Sequence, residues 1–298
     1  MHDSGTITAP TANQRWSRLH ENARYVGYLL RRNPLSLAGL VIFVLIVLLA
    51  LIGPYLTPYD PVRPDLRLAS RPPSAEHWMG TNQYGMDIFT RIVFGARVDL
   101  MIALVAVFGS VVAGTVIGLV SGYYGRLLDE ITMRILDSVQ AFPAIILAIA
   151  IAAVLGRGTW NVILILVIVN FPLYARLVRS QVLLQKRSQF VDAARTVGNN
   201  DLVIMFKHIL PNCVGPVYVQ GSLNIGWSVL MAASLGFIGL GVQPPNPEWG
   251  LMVNEGSRQM IFGNWWMAFF PGLFIFLFVL SANLMGDALH DLSDPRRR

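Results

Sequence analysis

Apolar residues fall along this chain in six blocks, at 37–57, 99–121, 134–155, 160–178, 213–236 and 266–288. Each approaches the roughly 20 residues that an α-helix needs to cross a bilayer's hydrocarbon core. The pattern therefore predicts an all-α integral membrane protein with six transmembrane helices. About 40 polar, Pro-rich residues separate the first two blocks, and "GVQPPNPEWGLMVNEGSRQMIFGN" separates the last two. Ahead of the first block, Trp16, Leu19, Ala23, Val26 and Leu30 recur at spacings of three and four with Arg between them. That periodicity predicts an interfacial helix within an N-terminal arm, 1–36. The first block follows this polar arm without a small-residue cleavage site, so it reads as an uncleaved anchor. In the second block Ser110, Gly114, Gly118 and Gly122 recur every four residues, a spacing that lets helix backbones approach closely.

Composition agrees with the pattern. Of 298 residues, 54% are hydrophobic and 13% charged, against about 25% charged in soluble domains. The net charge is +6, but the basic residues cluster beside apolar blocks. Anionic lipid and topology control explain that clustering better than nucleic acid does. With the N-terminus in the cytoplasm, the inner segments hold Arg15, Arg18, Arg24, Arg31 and Arg32, then Arg126 and Arg134. They also hold Arg176, Arg179, Lys186, Arg187, Arg195 and Lys207, and finally Arg296, Arg297 and Arg298. Sixteen of the 23 Lys and Arg then lie inside, which predicts both termini cytoplasmic. The same orientation makes 58–98 a periplasmic segment, 99–290 a core of five transmembrane helices and 291–298 a cytoplasmic tail.

Polar side chains at membrane depth each need a partner or water. Gln220, Asn224, Trp227 or Ser228, and Met231 share one face of the fifth helix. Asn170 sits mid-way along the fourth, two residues before Pro172. Asp137 and Gln140 lie near the inner end of the third, with Pro143 just beyond and Arg134 placed to pair with Asp137. Two readings stand for the fifth-helix face: a polar translocation path, or interhelical hydrogen bonds worth about 1 kcal/mol each. Elsewhere the hydrogen-bonding reading is preferred.

Between the fourth and fifth helices lies a polar hairpin, "DAARTVGNNDLVIMFKHILPN", within 188–211. "SQFVDAARTV" favours helix, and Gly198 is placed to end it in a left-handed conformation. Asn200 or Asp201 caps a second helix, "LVIMFKHIL", and Pro211 breaks it from the fifth span. Ala193 and Ala194 leave the first helix a thin face. A loop of some 35 residues here exceeds what a connection needs, which points to a surface made for a partner.

Catalytic motifs are missing. A P-loop of the Walker type needs Gly-Lys, yet Lys186 follows Gln185 and Lys207 follows Phe206. "GFIGLG" has the wrong glycine order for a dinucleotide loop, and no Gly-x-Ser-x-Gly or His-Glu-x-x-His occurs. The single Cys213 builds no disulfide framework, and the five His have no metal-ligand spacing. No enzyme and no cofactor is expected. A self-sufficient ion-coupled carrier or channel is the alternative to an externally powered transporter. Paired broken helices in repeats would favour it, and none stands out. A structural membrane anchor fits poorly with the polar groups inside the helices.

The hairpin resembles the cytoplasmic Glu-Ala-Ala motif of ATP-binding-cassette (ABC) importer permeases: Glu-Ala-Ala, three residues, Gly, nine residues, Ile, one residue, Leu-Pro. Here the positions are Asp192, Ala193, Ala194, Gly198, His208, Leu210 and Pro211. Three more segments are similar to the dipeptide/oligopeptide branch: "HWMGTNQYGMDIFTRIVFGAR", "SLGFIGLGVQPPNPEWG" and "NLMGDALHDLSDPRRR". Asn82, Met86, Thr90 and His290 depart from its pattern, and Met86 removes a charge on the outer side. The resemblance implies a type I importer permease fold with a cytoplasmic coupling helix at 188–211. It implies a second homologous permease, two ATPase subunits and a soluble solute-binding protein as partners. The coupling residues would be those seven positions, and Gln220, Asn224, Ser228 and Asn170 would be candidates for the path. Segments 58–97 and 242–265, with Pro244, Pro245, Glu248 and Trp249, would face the binding protein. Di- or oligopeptides or similar small solutes would be the cargo.

Overall fold

The computed structural model describes residues 34–293, with side chains to Leu289. The interfacial helix expected around Trp16 to Leu30 lies outside the described residues, as do the side chains of the tail. Among the described residues there is no strand; an isolated bridge joins Thr81 to Asp87. The chain forms α1 (Pro34–Leu56), α2 (Ile88–Tyr124), α3 (Arg126–Gln140), α4 (Ala144–Leu155) and α5 (Thr159–Gln185). There follow α6 (Gln189–Thr196), a continuous α7 (Asp201–Ile238), α8 (Trp249–Ser257) and α9 (Trp266–Ser293). α1, α2, α5, α7 and α9 are each long and apolar enough to cross a membrane, and a sixth span exists if the bent pair α3–α4 counts as one.

That pair covers the block expected over 134–155, but not as one unbroken helix. The chain turns by 93° between α3 and α4. Pro143 has no N–H to donate and disfavours a helical residue ahead of it, and the helix stops at Gln140. α4 has 12 residues, about 18 Å of helix, too short to cross alone. α3 is amphipathic, with Leu127, Leu128, Ile131 and Ile135 exposed. Arg134 does not pair with Asp137. It bonds Glu130 one turn back at 2.7 Å, while Asp137 takes Arg176 of α5 at 2.5 Å.

The second span also starts earlier than the apolar block. Asp87 Oδ1 accepts the Thr90 N–H at 2.7 Å and starts α2 at Ile88. Gly125, with φ of 66°, ends it. Pro211 fails to break α7, because Ile204–Ile209 wind as a π-helix immediately before it. The wider turn moves the carbonyl that a proline ring would strike, and the helix runs through.

Small residues bring the spans together. A Cβ at Gly114 would lie 2.5 Å from Tyr174 Cβ, and one at Gly118 would overlap the Ala175 carbonyl oxygen. The four-residue stripe on α2 is thus the seam against α5. Three cores result. One joins α1, α2, α8 and α9 around Trp249 and Phe278. A second joins α2, α5, α6 and the start of α7 around Tyr174 and Met205. The third joins α2, α4, α5 and α7 around Ile165 and Leu166.

Candidate functional site

The hairpin between α5 and α7 has an inner and an outer face. Val191 and Ala194 of α6 are buried against Ile204, Met205 and Ile209, and against Tyr123 and Val182 of the long helices. α6 ends as its sequence predicts. Gly198 has φ of 82°, its N–H donates to the Arg195 carbonyl at 2.9 Å, and the Asn199 N–H donates to the Ala194 carbonyl at 3.1 Å. This paired closure satisfies the last carbonyls of the helix. Asn200 then caps α7, its Oδ1 accepting from Val203 N at 2.8 Å.

Tyr123, at the end of α2, fastens this hairpin. Its hydroxyl donates to Asp201 Oδ1 at 2.6 Å. The Lys186 ammonium donates to its carbonyl, and Lys186 and Arg195 both lie against its ring, at 5.5 and 5.9 Å. Next to it, Arg179 of α5 grips Asp129 of α3 through two bonds of 2.5 and 2.6 Å. The hairpin is therefore fastened to the adjoining ends of α2 and α5, and through α5 to α3, so a push on it reaches the spans.

Its outer face carries Asp192, Ala193, Val197, Leu202, Phe206 and Lys207. Val197 is 77% and Leu202 61% exposed. Of the two alanines expected to form a thin contact face, only Ala193 is exposed; Ala194 faces inward because Val191 and Ala194, three apart, share the buried side. His208, on the π-turn, and Leu210, just after it, are half-buried, and Pro211 is exposed.

Between α3, α5 and α7, Asn170, Asn224 and Gln140 line one cavity of about 450 Å³, with Trp227, Phe142 and Leu173 as apolar wall. Asn224 donates to the Tyr174 hydroxyl at 2.9 Å, and Gln220 reaches Asn224 Oδ1 at 3.4 Å. The structure thus joins two helices whose amides the sequence placed separately. Ser228 is not part of this wall. It is fully buried one turn further on, between packed helices.

On the far side of the bundle, Pro244 and Pro245 are exposed on a loop. Glu248 and Trp249, expected at that surface, are 1% and 0% exposed. Trp249 Nε1 donates to the Ile92 carbonyl at 3.0 Å, and its ring fits against Phe274 and Phe278. An indole that size stabilises more by filling the core than by meeting solvent.

Residues 114–298 match the family model "Binding-protein-dependent transport system inner membrane component". Residues 24–73 match "N-terminal TM domain of oligopeptide transport permease C". The chain belongs to the binding-protein-dependent permease family. It is the membrane-embedded permease subunit of an ABC importer, with ATP hydrolysis carried by separate subunits. It works with a second permease, ATPase subunits and a substrate-binding protein, in the inner membrane. The permease is 46% identical over 271 residues to a dipeptide transport system permease protein of Alkalihalophilus pseudofirmus, covering 90% of this chain and 88% of that one. It is 44% identical over 268 residues to a glutathione transport system permease protein of Pectobacterium atrosepticum, at 90% and 88% coverage. The fold is that of the MetNI methionine ABC transporter in inward-facing form: TM-score 0.54, 21% identity, 68% of this chain and 96% of that chain.

Three of the permease's departures from the branch pattern have local explanations. Asn82 Oδ1 accepts the N–H groups of Tyr84 and Met86, at 3.0 and 2.9 Å. Met86 is buried and its sulfur lies 3.3 Å from Arg91 Nη1, and Thr90 is buried at the start of α2. Sequence reasoning passed over Tyr123, Tyr174 and Asp99. An aromatic at a span end reads as an interface anchor, and a lone acid at a block edge reads as a boundary.

Proposed function

We propose that this permease carries di- or oligopeptides, or small solutes related to them such as glutathione, and that the 188–211 hairpin is where an ATPase subunit seats. The dipeptide and glutathione permeases it resembles support the cargo class. The observation that carries the docking role is the hairpin's division of labour. Its inner face is fastened to the ends of the long helices α2 and α5 through Tyr123 and Lys186, while its outer face leaves Val197, Leu202 and Phe206 exposed beside Asp192 and Lys207. In this reading both termini are cytoplasmic, 58–98 and 242–265 face the binding protein through Pro244 and Pro245, and ATP-driven closure moves the hairpin as a lever. Asn170, Asn224 and Gln220 line the path near its inner end.

Asp192 is 71% exposed in the first turn of α6. Asp192→Lys is expected to weaken ATPase association by roughly tenfold, the cost of one reversed charge at an interface. Co-purification from membranes measures this, and recovery of ATPase at the wild-type ratio would count against docking there. Asn224→Leu removes the cavity amide and its bond to Tyr174. Uptake by the assembled importer is expected to fall while ATPase recovery stays normal. Unchanged uptake of each tested dipeptide and of glutathione would reduce that face to packing.

A further inference from the structure

The first three backbone N–H groups of α8 all end on carboxylates. Trp249 N donates to Asp99 Oδ2 of α2 at 3.2 Å, Gly250 N to Glu248 Oε1 at 2.7 Å, and Leu251 N to Glu248 Oε2 at 2.8 Å. Both acids are buried, each 1% exposed, and their carboxyls face one another within hydrogen-bonding reach. One atom is left over, since no donor reaches the buried Asp99 Oδ1.

Among the described residues, no cation faces the pair. Arg91, on the same helix as Asp99, gives Nη1 to the carbonyls of Pro61 and Pro245 and lies 3.8 Å from Glu255. Arg97 binds the carbonyls of Ala50 and Leu51. His77 and Asp87 bond each other, and Arg258 acts on Glu255. α8 carries no charged side chain besides Glu255; α1 carries none, α7 none from Cys213 to Ile238, and α9 none from Trp266 to Gly286. Two bare carboxylates in contact here would repel with nothing to offset the repulsion.

We propose that Asp99 and Glu248 form a one-proton site, in which Asp99 holds a proton on Oδ1 and donates it to the Glu248 carboxylate. The single remaining negative charge, on Glu248, caps α8, where the Gly250 and Leu251 N–H groups donate to it. The bond fastens α8 to α2, and to the end of α7 as well, because a Cβ at Gly236 would overlap Glu248 Oε2. The exposed Pro244–Pro245 loop enters this junction directly, with the Pro245 carbonyl held by Arg91. The proton thus positions the loop, whatever docks on it.

Burial pushes the Glu248 carboxyl up to about 7, against the pull of its two N–H bonds. A carboxyl raised in the folded state contributes stability that is complete below its ordinary range and is lost as the pH climbs through the raised value. Stability is therefore greatest on the acid side. Loss of the shared proton on the alkaline side adds a further fall.

The test uses the purified importer complex in lipid nanodiscs. At mildly alkaline pH its infrared spectrum is expected to show a protonated carboxyl band that shifts in D2O and is lost in Asp99→Asn. The asparagine amide still donates to Glu248 and accepts from Trp249 N, but it has no proton to release. Its melting temperature is expected to match wild type at neutral pH and to lose the alkaline-side fall. Absence of the band in wild type overturns the proposal whether or not the variant folds. So does a band that persists in Asp99→Asn, or a variant that keeps the full alkaline slope.

Discussion

Gly198→Val is expected to leave the permease in the membrane and to uncouple ATP hydrolysis from uptake. Gly198 has φ of 82°, and a Cβ there would meet nothing within 4 Å. The substitution therefore acts through backbone strain alone. A left-handed conformation costs a side-chain-bearing residue about 2 kcal/mol, with a β-branched one at the high end. That favours another turn geometry by roughly thirtyfold. The turn sets the angle between α6 and α7, so the outer face with Asp192 and Leu202 would be presented wrongly. Gly198→Asn should behave nearly as wild type, since asparagine tolerates this region. The measurement is solute taken up per ATP hydrolysed in proteoliposomes. An unchanged ratio in Gly198→Val would remove the hairpin from coupling.

Gly118→Leu should lose the fold itself. The added Cβ would overlap the Ala175 carbonyl oxygen and sit 3.0 Å from Arg179 N. Those are backbone atoms of α5 and cannot turn aside as a side chain would. Overpacking a seam of this kind costs about 3 kcal/mol. It also pulls α2 from α5, the two helices whose adjoining ends anchor the hairpin. Little protein should reach the membrane, and what does should melt well below wild type. Gly215→Ala is the control, because nothing lies within 4 Å of that position. A Gly118→Leu protein with wild-type melting would contradict the close approach.

Much of this molecule was legible in its residues, and the reason differs from place to place. The glycine stripe on α2 announced a close seam because only small side chains let two backbones meet, whatever the partner. The α6 closure at Gly198 was legible because a left-handed turn is a local property of the chain. The bend inside the third block was not legible because hydropathy averages over a window, while Pro143 acts at one peptide. The break expected at Pro211 failed for the opposite reason: a π-turn just before it absorbed the ring.

The candidate site divides the same way. Its motif positions follow from spacing, but spacing is silent on facing. Ala193 and Ala194 look equivalent in sequence, and Val191 on the same side decides that Ala194 points inward. Glu248 and Trp249 sit in a polar stretch and read as surface. The packing of α8 on α2 and α9 puts them in the core, where Asp99, 149 positions earlier, meets them.

By itself the sequence determined that this chain lies in a membrane, that it holds no P-loop of its own, and that a helical hairpin interrupts its spans. Composition, missing dipeptides and local turn chemistry depend only on neighbours along the chain. Only the tertiary structure decided which polar groups share a cavity, how Tyr123 locks the hairpin to the ends of α2 and α5, and that two acids meet beneath the Pro244–Pro245 loop. Those are contacts between residues far apart in sequence, set by how six apolar segments pack.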